Sequence, residues 1–244
     1  MNRLSATALG PTGYRDGLRL QEAMVGARAA GHTGDWLLFP EHPNVLTIGR
    51  APSAGSLKVS REQLERLGIE VFEVARGGDI TWHGPGQLVG YAVCDLDRRG
   101  RDLHRFLRGM EQALIQALAQ WRLQGERVEG RTGVWVEGRK IASIGIAVRR
   151  WVSYHGFALN VRPDLEYFNL IHPCGLRGIE MASLGSRLGD SAPTLAVSRE
   201  VVARAFADVM GYDAVCWKPP LDAWSAAGVA PDSGPADTIE TSAA

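Results

Sequence analysis

Between Asp102 and Trp121, apolar side chains recur three or four positions apart, at Leu103, Phe106, Leu107, Met110, Leu114, Ala117, Leu118 and Trp121. That is the period of a helix with one buried face, and it predicts the longest helix of the chain. A weaker version of the pattern, carried by Leu18, Leu20, Met24 and Ala27, predicts a first helix over Tyr14 to Ala30. Ser198 to Met210 reads as the last helix, with Glu200 near the positive end of its dipole. Ser60-Arg61-Glu62-Gln63 matches a capping box, in which serine and glutamine side chains satisfy each other's backbone NH groups. A short helix is therefore predicted to start there and to stop at Gly68.

Elsewhere the period shortens to two, or the apolar run closes up. DWLLF and NVLTIG, separated by Pro40 and Pro43, read as strands, as do Ile69 to Val74, Leu88 to Cys94 and WVSYHGFALNV. GVWVEGRKIASIGIAV predicts a hairpin that turns at Glu137-Gly138-Arg139, with Lys140 at its mouth. Helices and strands mix without strict alternation, and this hairpin is antiparallel. An α+β domain with mixed sheets and flanking helices is expected, not a doubly wound Rossmann fold. From Lys218 onward Pro, Gly, Ala, Ser and Asp dominate. Residues 1–217 are accordingly expected to form one domain and 218–244 a disordered tail.

The 244 residues, 45% of them hydrophobic, suffice for a substantial core. Twenty-seven basic and 27 acidic residues give zero net charge, which points away from nucleic acid and from acidic membrane surfaces. Neither a signal-type apolar run nor a membrane-length segment stands out, so a soluble cytoplasmic protein is expected. The cysteines, Cys94, Cys174 and Cys216, are too few for a disulfide framework and form no CxxC pair, so no metal site is expected. Cys94 and Cys216 read as small buried hydrophobes, whereas Cys174 lies in a loop, IHPCGL, where reactive groups are displayed. Only Lys58, Lys140 and Lys218 are lysines. A lysine kept in so arginine-rich a chain is favoured where a proton must be given up, which arginine cannot do.

The stretch RGGDITWHGPGQ, Arg76 to Gln87, holds four glycines, a proline, a histidine and a tryptophan. Glycines at this density remove side chains where something approaches the backbone. A phosphate-binding P-loop would need a lysine and a hydroxyl residue after its last glycine, and Gln87-Leu88 follow instead. A punctuated turn with a core tryptophan and a satisfied histidine is the plain alternative to a site wall.

RGGDITWHGPGQLVGY resembles the signature of the lipoyl(octanoyl) transferases, the octanoyltransferases of lipoic acid synthesis. Two further motifs of that family occur in the expected order, GRKIASIG at Gly138 to Gly145 and the tripeptide Pro173-Cys174-Gly175. The similarity runs from about Tyr14 to about Tyr212. It implies a biotin/lipoate protein ligase catalytic-domain-like fold, no cofactor and a monomer. It also implies that Cys174 is the acyl-thioester nucleophile and that Lys140 draws its thiol toward thiolate and moves protons. Substrate contacts are implied along Arg76, Gly77, Gly78, Asp79, Ile80, Thr81, Trp82 and His83, at Ser143, Ile144 and Gly145, and at Gly156, Phe157 and Ala158. The implied donor is octanoyl-acyl carrier protein. The implied acceptors are lipoyl domains of 2-oxoacid dehydrogenase complexes and the glycine cleavage H protein.

Within that chemistry, backbone NH groups near Gly77-Gly78 and Cys174-Gly175 are candidate oxyanion donors, and His83 is a positioning residue more than a base. The arginines Arg98, Arg99, Arg101, Arg105 and Arg108 either dock an acidic carrier helix or form a solvated face. An ATP-dependent lipoate or biotin ligase is the rival class, since such ligases share the implied fold. That class would need a phosphate-contacting loop and no nucleophilic cysteine. A non-catalytic acyl-binding module would have no use for Lys140 and Cys174. A thioester hydrolase would differ from a transferase only in admitting water.

Overall fold

The structure, a computed structural model, describes residues 2–173 and 178–231. Its first half comprises β1 (Arg3–Pro11), α1 (Tyr14–Ala29), β2 (Trp36–Glu41), β3 (Val45–Ile48), α2 (Arg61–Arg66), β4 (Glu70–Glu73), β5 (Ile80–His83) and β6 (Gln87–Val93). The second half adds α3 (Leu103–Ala119), β7 (Glu126–Val128), β8 (Arg131–Val136), β9 (Arg139–Arg149), β10 (Val152–Asn160), α4 (Leu184–Leu188), α5 (Leu195–Met210), β11 (Ala214–Trp217) and α6 (Pro220–Ala227). An eight-stranded sheet runs β11-β1-β2-β6-β10-β9-β8-β7, and a three-stranded sheet runs β4-β3-β5. In the large sheet β1 is parallel to β11 and β2, and the remaining pairs are antiparallel. The architecture is the expected α+β arrangement of mixed sheets with flanking helices.

Period-two alternation explains how one sheet serves two cores. Along β6, Leu88 and Ala92, with Cys94 just beyond, join a cluster with Phe106, Met110 and Leu114 of α3 and Val202 and Phe206 of α5. The intervening Val89, Tyr91 and Val93 face Leu20, Met24 and Val25 of α1. Each large apolar side chain buried in this way contributes about 1.5–3 kcal/mol. Asp102 caps α3 by accepting from the Arg105 amide, and Ser60 and Gln63 close the predicted capping box on α2. A third cluster, with Leu46, Leu64, Trp82 and Phe168 among its members, anchors the small sheet on α2 and the 3-10 turn Leu165–Leu170.

Three features depart from the sequence expectations. The last long helix begins at Leu195, not Ser198, because Thr194 supplies the cap and accepts from the Val197 amide. Strands β1, β5, β7 and β11 lie at or near the sheet edges and are not expected from the sequence, where β5 reads as part of the glycine-rich loop. The supposed tail from Lys218 contains α6, with Pro220 in its first turn and Gly228 in the left-handed region at its end. Ala223 and Trp224 of α6 are buried in the α1 cluster, and Arg19 lies over the Trp224 ring. Composition averaged over 218–244 hides these anchoring residues. Residues 232–244 lie outside those described.

Candidate active site

The loop Arg76–Gly78 lies between the two sheets and is bonded on both sides. Gly77 N donates to the Ile146 carbonyl on β9 at 2.9 Å, while Arg50 N and Ala51 N donate to the carbonyls of Arg76 and Gly78. A Cβ on Gly145 would stand 2.9 Å from the Gly77 carbonyl oxygen, so the loop can lie this close to β9 only because residue 145 is glycine. The Gly77 amide is thereby committed to Ile146 and is not available to an oxyanion.

A cavity opens beside this crossing. It is lined by Arg76, Gly77, Gly78, Asp79, Ile80, Thr81 and His83, by Ser143, Ile144 and Gly145 of β9, and by Gly156, Phe157 and Ala158 of β10. Trp82 is placed differently. It is fully buried in the third cluster, stacked on Tyr167 with ring centroids 5.1 Å apart and edge-on to Phe168. Four further wall residues, Tyr14, Val89, Tyr91 and His155, were not anticipated. They come from α1, β6 and β10, and no local motif marks them.

Hydrogen bonding fixes the polarity of this wall. Asn160 Nδ2 donates to the Ala182 carbonyl, which leaves Asn160 Oδ1 to accept from Gln87 Nε2. Gln87 Oε1 must then accept from His83 Nδ1 at 2.7 Å, so the lone pair of His83 is on Nε2. By the same reasoning His42 Nδ1 donates to the Thr12 carbonyl, and its Nε2 accepts from the Tyr91 hydroxyl. His155 holds φ +57°, unusual for a non-glycine residue, while its amide donates to Gln21 Oε1. Its buried Nε2 has no hydrogen-bond partner among the described residues.

Burial lowers the pKa of His42 to about 4 and those of His83 and His155 to about 3; the Arg76 guanidinium adds to the effect on the last two. All three imidazoles are therefore neutral at pH 7. In the unfolded chain they protonate near 6.5, so on acidification the unfolded state binds more protons and stability falls from about pH 6.5 downward. Between pH 7 and pH 5 each should forfeit roughly 1–2 kcal/mol. Urea unfolding midpoints should drop accordingly, and equal midpoints at the two pH values would contradict a neutral, buried trio.

Arg76 is buried and donates to the Thr47 carbonyl and hydroxyl and to the Gly77 carbonyl. Asp79 accepts from the Ser53 amide and the Ser56 hydroxyl, and the Ser56 carbonyl accepts from the His172 amide at 2.7 Å. The wall is thus connected to the residue just before Pro173.

Lys140 lies at the start of β9 and is 2% exposed, more deeply placed than a residue at a hairpin mouth. Its Nζ donates to the Thr132 carbonyl at 3.1 Å and sits 5.0 Å from the centre of the Trp135 ring. Its own amide donates to the Glu180 carbonyl, and its carbonyl accepts from the Ala182 amide. Neighbouring Arg139 is half exposed and pairs with Glu180. Cys174 and Gly175 lie outside the described residues. Of the other cysteines, Cys94 is buried, with its thiol pushed up to about 12 by burial and by Asp35; Cys216 is half-buried on β11.

The arginine cluster proves largely compensated. Arg98 pairs with Asp95, Arg99 with Asp35, Arg101 with Asp97 and Arg108 with Glu111.

Comparison with known proteins places this geometry. The model of the lipoyl protein ligase A/B catalytic domain matches residues 13–207. An octanoyltransferase of Geobacter sulfurreducens is 50% identical over 194 residues, 80% of this chain and 79% of its own length. One of Rubrobacter xylanophilus is 47% identical over 204 residues, 83% of this chain and 91% of its own. A lipoate-protein ligase A structure bound with ATP superposes with a TM-score of 0.74 at 20% identity, over 93% of this chain and 92% of that one. At that identity the last likeness speaks for the fold alone. The chain therefore belongs to the octanoyltransferases within the lipoyl protein ligase A/B catalytic-domain family.

Proposed function

We propose that this octanoyltransferase, acting in protein lipoylation, works through a thioester on Cys174 with Lys140 as the proton-transfer group. The observation that carries this reading is the pairing of Lys140 with residues 180–182. Residues 180–182, which follow Cys174 in the chain, are bonded to both backbone groups of Lys140, and His172, which precedes it, is bonded to Ser56. The chain on one side of Cys174 thus reaches Lys140, and on the other it reaches the wall residue Asp79 through Ser56.

The Cys174 thiolate attacks the carbonyl carbon of the octanoyl thioester on acyl carrier protein. The tetrahedral oxyanion collapses, the bond to the carrier's sulfur breaks, and that sulfur takes a proton from the Lys140 ammonium. The ε-amine of a lysine on a lipoyl domain then attacks the acyl-enzyme. As the amide forms, the amine's excess proton passes to the Lys140 amine, and the Cys174 thiolate is regenerated. Proton and electron counts close over the two halves, and neither ATP nor a cofactor enters. The seven carbons beyond the carbonyl, laid against the wall from Gly77 to Ile80 and from Ser143 to Gly145, would gain about 5–6 kcal/mol at about 0.8 per CH₂. The acceptors are lipoyl domains of 2-oxoacid dehydrogenases and the glycine cleavage H protein, and the enzyme acts as a cytoplasmic monomer.

The test is the intact mass of the protein after incubation with octanoyl-acyl carrier protein and no ATP. A hydroxylamine-labile gain of roughly 126 Da, absent in Cys174→Ser and discharged by a lipoyl domain, is expected. Transfer without any adduct would mean direct attack in a ternary complex. Transfer only with ATP and free octanoate would instead point to a ligase.

A further inference from the structure

We propose that Glu111 is a positioning residue for Lys140, acting through the peptide unit between Thr132 and Gly133. The inference rests on the assignment of Lys140 as the proton-transfer group. Glu111 belongs to α3, outside the cavity, and its side chain is 1% exposed. Its two oxygens have separate partners. Oε2 takes Arg108 at 2.7 Å and Arg127 at 3.0 Å, whereas Oε1 accepts from the Gly133 amide at 3.1 Å.

The Gly133 NH and the Thr132 C=O belong to one planar peptide unit, and in a trans unit they point to opposite sides. The Thr132 oxygen accepts from Lys140 Nζ. Rotating this plane away from Glu111 would therefore turn the carbonyl away from the lysine. Gly133 sits at φ +130°, where a Cβ would lie 2.5 Å from the Ala142 carbonyl oxygen and 2.8 Å from Lys140 Cε. Only glycine admits the lysine stem there, yet glycine has little conformational preference of its own. An outside anchor is needed to hold the plane, and a buried carboxylate supplies a stronger bond than a neutral acceptor would. Donating to that charge also polarises the peptide, which makes its carbonyl a better acceptor for Lys140.

A role confined to ion pairing with the arginines is the alternative, and the variants separate the two. Glu111→Gln is expected to lower kcat for octanoyl transfer roughly ten-fold, with KM for octanoyl-acyl carrier protein within about two-fold of wild type. In a Lys140→Ala background the same change should alter the residual rate by less than about two-fold, because the group being positioned is gone. Arg127→Met, which removes one of the two ion pairs of Glu111 and spares the Gly133 bond, should lower Tm while leaving kcat near wild type. Equal kcat losses in Glu111→Gln and Arg127→Met, or an undiminished Glu111→Gln effect without Lys140, would overturn the proposal. If Glu111→Gln does not fold, Glu111→Asp, one methylene shorter, carries the same expectations. A slow Lys140→Ala with a normal Glu111→Gln would remove Glu111 alone, whereas a wild-type rate in Lys140→Ala would remove the reading of Lys140 itself.

Discussion

Replacing Lys140 by arginine is expected to lower octanoyl transfer by about 10²–10⁴-fold while leaving the protein folded. A guanidinium keeps its proton at any pH the enzyme tolerates, so it cannot receive the proton of the incoming amine. It can still carry positive charge beside a thiolate. Arginine thus separates the two duties that the proposed mechanism gives to Lys140, electrostatic support of the nucleophile and proton transfer. Sterics add to the effect, because the Lys140 stem passes the Cβ-less Gly133 and ends at the Thr132 carbonyl, with Trp135 at its side. Lys140→Met controls for bulk, since it is unbranched and uncharged. If Lys140→Met transfers octanoyl at near wild-type rate while Lys140→Arg does not, the arginine effect is steric and proton transfer lies elsewhere. If both are slow but Lys140→Arg still forms the Cys174 adduct, charge supports acylation and proton transfer limits the amine half. Full activity of Lys140→Arg would exclude proton transfer by residue 140 and leave it only the electrostatic duty.

The parts of this molecule legible in the sequence are those whose signal is local. The eight apolar positions of α3 lie on one helical face, and the capping box on α2 occupies four consecutive residues. The hairpin of β8 and β9 turns on Glu137-Gly138, with Glu137 at φ +50° and Gly138 at φ +73°. The wall from Arg76 to His83 could be proposed because a single string carries it. Tyr14, Tyr91 and His155 could not be proposed, because what brings them together is the packing of α1 across β6 and β10. Glu111 sits at the margin of the apolar face of α3, one turn from Leu107 and Leu114, and the amide it reaches is seen only once the β8 backbone is placed beside it. Arg98 and Arg99 read in sequence as either a docking patch or a solvated face; Asp95, the partner of Arg98, is three residues away, whereas Asp35, the partner of Arg99, is brought there only by the fold. α6 escaped notice because one buried tryptophan, not its composition, fixes it to α1.

Trp82 is where the family resemblance and the packing lead to different experiments. It lies between Thr81 and His83, which face the cavity, and period-two alternation sends its indole to the other side of β5. There it is sandwiched in a cluster with Leu46, Phe168 and Ile171, stacked on Tyr167. Trp82→Ala would leave an indole-sized hole in the smallest of the three clusters, and a loss of about 3–5 kcal/mol is expected. Because this cluster seats the small sheet, the loss should also loosen Arg76–Gly78 and raise KM indirectly. Trp82→Phe keeps an aromatic ring for Tyr167 and should restore most of the stability and, with it, the KM. A residue that touches the acyl chain would behave otherwise, with KM rising in Trp82→Phe while Tm stays near wild type. Denaturation midpoints and KM measured on the same three proteins therefore decide whether Trp82 binds the substrate or holds up the wall that does.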